Sequence, residues 1–289
     1  MASLKEIKGR IQSVKSTQKI TSAMKMVSSA KLRKAQKVIE NFLPYENKLG
    51  LLLQNFLSAE ESDISSPLSE TREVKRVAIV AISSNSSLCG SFNANVVRKF
   101  EQTVDAYRSL GEENILVYPI GKKIQKASSK MKLKSQCELD ELIDKPNYDG
   151  AAELAKELIH LFLKKKVDRV ELIYHHFHSR SSQILQHNVF LPIELKQSEN
   201  RTVSINYIVE PDKESILDEL LPKVLRLKIY AALLDSSASE HAARTIAMQM
   251  ATENANDLLQ DLSLQYNKSR QQAITNELLD IIGGSFGMN

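Results

Sequence analysis

Lys223–Ile282 reads KVLRLKIYAALLDSSASEHAARTIAMQMATENANDLLQDLSLQYNKSRQQAITNELLDII, with Pro222 before it and Gly283-Gly284 after it. No glycine or proline interrupts the run, and the two strongest helix breakers bracket it, so the simplest reading is one helix. At a rise of ~1.5 Å per residue it reaches ~90 Å, several times the diameter of a domain of ~100 residues. Most of it cannot lie inside a single core. It needs another partner.

The other end of the chain offers one. From Ser3 to Leu43 the only breaker is Gly9, which costs a helix about 1 kcal/mol, and Pro44 marks a kink or an end. Leu4, Ile7, Ile11 and Val14 are spaced like the seam of a coiled coil, and Ile20, Met24 and Val27 resume the stripe after a phase shift. Two over-long helices at opposite ends of one chain are expected to pair with each other. The C-terminal helix carries Ala231, Ala232, Ser236, Ala238, Ser239, Ala242, Ala243, Ala247, Ala251 and Ala255. Small side chains allow close approach of helix axes but bury little area, so such a seam is expected to be weak until a partner surrounds it.

The chain has 289 residues, 42% of them hydrophobic, enough for one large domain or two small ones. No apolar run reaches the ~18 residues that cross a bilayer, so a soluble protein is expected. The basic, amphipathic start resembles a transit peptide but runs on as the same helix, which favours a structural role there. Cys89 and Cys137 lie far apart with no CxxC, against a disulfide framework or zinc finger and in keeping with a reducing compartment.

Net charge is only +4, but residues 1–40 hold Lys5, Lys8, Arg10, Lys15, Lys19, Lys25, Lys31, Arg33, Lys34 and Lys37 against Glu6 and Glu40. The remainder is therefore net acidic. A basic helix suits nucleic acid, a membrane surface or an acidic protein. No aromatic residue precedes Phe42, so nothing there can stack on bases, and nucleic acid is disfavoured.

Between the long helices, Arg76–Ile82 is a near-continuous β-branched run of the kind buried on both faces of a parallel sheet. A polar loop, Ser83–Asn93, follows it, and then a helix from Asn95 to about Leu110. Asn114–Ile120 and Val167–Tyr174 read as strands around a helix over Tyr148–Lys165; Ile184–Ile193 and Val203–Val209 read as a further pair at the sheet edge. The expected fold is α/β: a long N-terminal helix over 1–58, a Rossmann-like α/β domain over 74–210, and a long C-terminal helix over 211–289.

The loop after the first strand is where a doubly wound fold holds phosphate, yet it has neither GxGxxG nor GxxxxGK[ST], and Gly90 alone supplies no nest. A structural turn is expected. His175, His176 and His178 cluster without a Cys or carboxylate close in sequence to complete a metal set, and no catalytic constellation is found. No cofactor and no metal are expected.

Four stretches carry a family resemblance: Lys19-Ile-Thr-Ser-Ala-Met-Lys-Met-Val-Ser-Ser-Ala-Lys-Leu-Arg33, Leu88-Cys-Gly90, Ser239-Glu-His-Ala-Ala-Arg-Thr-Ile-Ala-Met248 and Tyr266-Asn-Lys-Ser-Arg-Gln-Gln-Ala-Ile-Thr-Asn-Glu-Leu278. In that order they resemble the gamma subunits of F-type ATP synthases. The resemblance implies an antiparallel coiled coil of the two terminal helices, turning as a rotor shaft inside a hexamer of alpha and beta subunits. It implies an α/β domain near the epsilon subunit and the membrane c-ring, one copy per complex, and no chemistry in this chain. It places the complex at the cytoplasmic side of the inner membrane as a peripheral assembly. Carried over position by position, Met24, Arg244, Gln271, Thr275 and Glu277 are expected to contact beta.

Departures are limited. The family's loop usually reads Asp-Arg-Gly-Leu-Cys-Gly-Gly, whereas Asn85-Ser-Ser-Leu-Cys-Gly-Ser91 lacks both charges and one glycine, which removes any ion pair made there. The cysteine-bearing insert of chloroplast members is absent, against thiol regulation and towards a bacterial enzyme. Two other classes stay open on residues alone: a coiled-coil adaptor with an α/β interaction module, and a nucleotide-binding enzyme.

Overall fold

Ser3 starts the first helix, its hydroxyl accepting the Glu6 N–H at 3.2 Å and its carbonyl the Ile7 N–H at 3.0 Å. Asp212 starts the last helix in the same way, accepting the Ser215 N–H at 2.8 Å. In chain order the computed structural model contains α1 (Leu4–Ser58), β1 (Val77–Ile82), α2 (Phe92–Ala106), β2 (Ile115–Ile120), α3 (Lys122–Lys130), α4 (Asp140–Asp144), α5 (Tyr148–Leu163), β3 (Arg169–Phe177), β4 (Gln183–Leu191) and α6 (Lys213–Phe286). It describes residues 3–58, 66–137, 139–193, 210 and 212–286. The strand expected at Val203–Val209 lies outside them.

Residues 1–29 and 244–289 form one compact unit, and residues 30–243 form another. In the larger unit the strand order is β2-β1-β3-β4. β1 is parallel to both neighbours, Val77 pairing with Ile115 on β2 and with Arg169 on β3, while β4 returns antiparallel to β3. The pleat explains why β1 is wholly apolar. Ala78, Val80 and Ile82 face a core with Leu154, Leu158 and Phe162 of α5 and Leu217, Leu221, Leu225 and Ile229 of α6. Val77, Ile79 and Ala81 face a second core with Val96 and Phe100 of α2 and Ile124 of α3. A strand covered on both faces has no room for polar side chains.

Pro222 and Gly283-Gly284 do not bound the last helix. α6 begins before Pro222 and continues through Gly283-Gly284 to Phe286, and α1 runs through Pro44. A proline inside a helix costs ~3 kcal/mol, but Leu217, Leu221 and Leu225 on the same stretch are each 3% exposed or less. Burying three leucines contributes more than one proline removes, since each is worth ~1.5–3 kcal/mol. Local propensity yields to packing there. α3 and α4 are short helices in a stretch that carried no helix expectation.

Candidate functional site

Within the smaller unit, the segments of α1 and α6 lie side by side. Gln18 Nε2 donates to Asn256 Oδ1 at 3.0 Å, and the hydroxyls of Thr21 and Thr252 meet at 2.8 Å. As numbers rise on one helix they fall on the other, so the pair is antiparallel. Among the described residues, Ile7, Thr21, Ser28, Arg244, Thr245, Met248, Ala255 and Leu262 are the buried positions along it. The seam on α1 is thus Leu4, Ile7, Ile11, Val14, Gln18, Thr21, Lys25 and Ser28, an unbroken heptad spacing with polar residues in its second half.

This corrects the expected phase shift. Ile20 and Val27, read as resuming the stripe, are 60% and 58% exposed, because the spacing carries the seam through Gln18 and Thr21 instead. Polar residues at seam positions fix register at a cost in stability. Nothing in the local sequence announced them, since their partners sit more than two hundred residues away on α6.

The apolar residues that the pairing leaves out remain on the surface. On α1 they are Ile20, Met26 and Val27; on α6 they include Met250, Leu264, Ile274, Leu278 and Ile281. Interspersed with them are exposed lysines and arginines, among them Lys15, Lys19, Lys31 and Arg33. A helical pair bearing so many exposed apolar groups is built to be covered by something else. Of the residues expected to contact a partner, Met24 is half-buried and Arg244 is buried. Gln271, Thr275 and Glu277 are exposed on α6, where the Thr275 hydroxyl donates to the Gln271 carbonyl at 2.9 Å.

In the larger unit the same two helices close over small residues. Leu32, 1% exposed, packs with Ala238 and Ala242, flanked by Ala35, Ile39 and Phe177, and Phe42 meets the Tyr230 ring edge-on at 5.2 Å. A polar cluster anchors this pair to the sheet: His176 Nδ1 of β3 lies 2.5 Å from Asp235 Oδ2 of α6. Burial pushes the Asp235 carboxyl up, against the lowering effect of His176, and burial and then the charge of Asp235 push up Glu46 of α1. His175, one residue earlier and on the opposite face, is 2% exposed and stacks on Phe92 at 4.4 Å. Burial takes its pKa down to about 4, so it is a neutral core residue. His178 lies beyond the end of β3.

The polar loop after β1 is tied up in its own turn. Asn93 Oδ1 accepts from both the backbone N–H and the hydroxyl of Ser84 at 3.0 Å, and Asn85 bridges Asp144 and the Lys122 N–H. At Gly121 a Cβ would meet the Ser83 carbonyl oxygen at 2.4 Å, so the strand ends are closed against each other. Lys123 Nζ donates to the Ser87 hydroxyl of the polar loop at 2.7 Å. The larger unit is also stiffened by Glu171 of β3, which accepts hydrogen bonds from Tyr107 and His187 and pairs with Arg169 at 2.9 Å.

Known proteins agree with this arrangement. The family model described as ATP synthase matches residues 3–287. The ATP synthase gamma chain of Bacteroides fragilis strain ATCC 25285 is 61% identical over 289 residues, covering 99% of each chain. That of Phocaeicola vulgatus is 58% identical over 288 residues, again 99% of each. Among solved structures, the central stalk and c-ring of the Tetrahymena thermophila mitochondrial ATP synthase matches with a TM-score of 0.58 and 28% identity, over 80% of this chain and 99% of that one. A chain of the Euglena gracilis mitochondrial ATP synthase, at 21% identity, shares the fold over 99% of this chain and 94% of its own, with a TM-score of 0.69. Matched along nearly its whole length, by sequence and by fold, the chain belongs to the ATP synthase gamma-chain family.

Proposed function

We propose that this chain is the central shaft of a bacterial F-type ATP synthase, non-catalytic itself, and that it passes torque between the membrane c-ring and the alpha/beta hexamer. The long helices over 1–58 and 211–289 supply the shaft, and the α/β domain over 74–210 sits towards the epsilon subunit and the ring. The complex is then peripheral to the cytoplasmic side of the inner membrane, with one copy of this chain; no helix among the described residues is long and apolar enough to cross a membrane. One observation carries the reading: an antiparallel helical pair with a thin, partly polar seam that leaves Ile20, Met26, Val27, Leu264 and Ile281 exposed. Such a pair gains stability only inside a sleeve that covers those groups.

In this reading Met24, Gln271, Thr275 and Glu277 meet the beta subunits as the shaft turns, and Arg244, only 8% exposed, holds the pair's own packing while offering beta its edge. The basic residues Lys25, Arg33 and Lys34 steer an acidic partner surface towards it. The test is to reconstitute the chain with alpha and beta subunits, attach a bead to the α/β domain and supply ATP. Unidirectional rotation is expected. A chain that assembles with the hexamer while the bead stays still during ATP hydrolysis is a tether, and that result overturns the reading.

A further inference from the structure

A groove of about 440 Å³ opens between α4 and α5 of the larger unit. Its floor is apolar, formed by Leu139, Leu142 and Leu154. The first turn of α5 comes close to α4 at Gly150, where a Cβ would meet Leu142 Cδ2 at 2.4 Å and Leu142 would have to turn aside to admit it. The rim carries Glu141 of α4 and Glu153 and Glu157 of α5, all exposed, against the single cation Lys145 among the described lining residues. Glu153 and Glu157 stand one turn apart on one helix face, a spacing that weakens the helix carrying two like charges. Among the described residues none of the three has an ion-pair partner, and Glu157 is engaged only by the Tyr118 hydroxyl at 2.8 Å.

We propose that this groove is a docking site for a lysine side chain carried by a neighbouring subunit of the complex. Charge complementarity selects the occupant: an apolar floor under an acidic rim matches a long aliphatic stem ending in a cation. Ammonium fits better than guanidinium. Its three donors diverge and reach carboxylates on separate side chains, whereas the planar guanidinium fork is matched to a single carboxylate. The volume is at the lower end of the ~300–1,000 Å³ typical of ligand sites, room for one side chain and its flanking backbone and not for a helix. The neighbouring Cys137 thiol, pushed up to about 12 by burial and then by the Glu157 charge, is neutral and leaves the acids as the local charge.

The inference rests on membership in the complex and not on rotation. The assembled ATP synthase, with this chain at full length, is treated with a water-soluble carbodiimide, which condenses a carboxylate with a nearby amine, and digested for mass spectrometry. An amide link from Glu141, Glu153 or Glu157 to a lysine of a different subunit is expected. In the complex carrying Glu153→Gln and Glu157→Gln, the link from Glu141 should fall about fivefold, because two weak charge contacts that hold the ammonium are gone. Links to Lys145 alone, to a second copy of this chain, or none at all from an assembled complex overturn the proposal, as does an unchanged yield from Glu141. A complex that assembles and turns without the link removes this inference and leaves the rotor reading in place.

Discussion

Exchanging the sizes of Leu32 and Ala242 tests the packing that holds the two long helices together in the larger unit. Leu32 is 1% exposed and Ala238 and Ala242 are fully covered, so the one large side chain on α1 fills the space that the small residues on α6 leave. Leu32→Ala removes its buried methyls and leaves a cavity that neighbouring alanines cannot fill, a loss of ~2–5 kcal/mol. Ala242→Leu forces extra carbons into a full seam and costs ~1–3 kcal/mol. Made together, the new leucine enters the hole left by the old one, and the pair should recover about 1–3 kcal/mol relative to independent effects. Urea unfolding of the full-length chain reads this directly. The chain has no tryptophan, so tyrosine fluorescence is usable, and Tyr230 reports from beside Phe42 at the seam. If the two losses simply add to within ~0.5 kcal/mol, the residues do not share a space and the packing argument fails.

Three other outcomes follow from the same physics. Met24→Lys places a further cation beside Lys25 on the half-buried edge of α1, and ATP hydrolysis is expected to persist while its coupling to proton pumping falls; unchanged coupling in membrane vesicles removes Met24 from the contact with beta. His175 stays neutral in the fold down to about pH 4 but takes a proton near 6.5 when unfolded, so its contribution is intact above 6.5 and drains away as pH falls towards 4. His175→Phe keeps the stack on Phe92 and should flatten that part of the stability profile by about 3 kcal/mol, and an identical slope in both proteins would count against a buried neutral imidazole. Hydrogen exchange on the free chain should find the smaller unit's helices opening more readily than β1 and β3, because few apolar groups are buried between them; uniformly slow amides along α1 and α6 contradict this.

Two kinds of information separate in this chain. Regular elements follow from neighbours close in sequence, so the long helices, the buried strand at Val77–Ile82 and the α/β class could be read from spacing and from the absence of breakers. The resemblance of four motifs reached the family in the same way, because it too is a matter of residues in a row. The start of α6 was misread because burial outweighs local propensity there: Pro222 lies inside α6, with Leu217, Leu221 and Leu225 packed in the core holding its first turns; the far limit was misread too, since α6 runs through Gly283-Gly284.

What pairs with what was not written locally. Gln18 and Thr21 look like surface residues until Asn256 and Thr252 arrive from the far end of the chain, and so the seam was expected to shift towards Ile20 and Val27. Likewise His175 and His176 are adjacent letters, yet β3 turns one into a buried core ring and the other to the carboxylate of Asp235. The sequence by itself determined the long helices, the strands of the sheet and the family they belong to, but not the short helices α3 and α4. Only the tertiary structure decided which polar groups meet across the seam and which apolar groups are left exposed, because those depend on contacts between residues hundreds of positions apart.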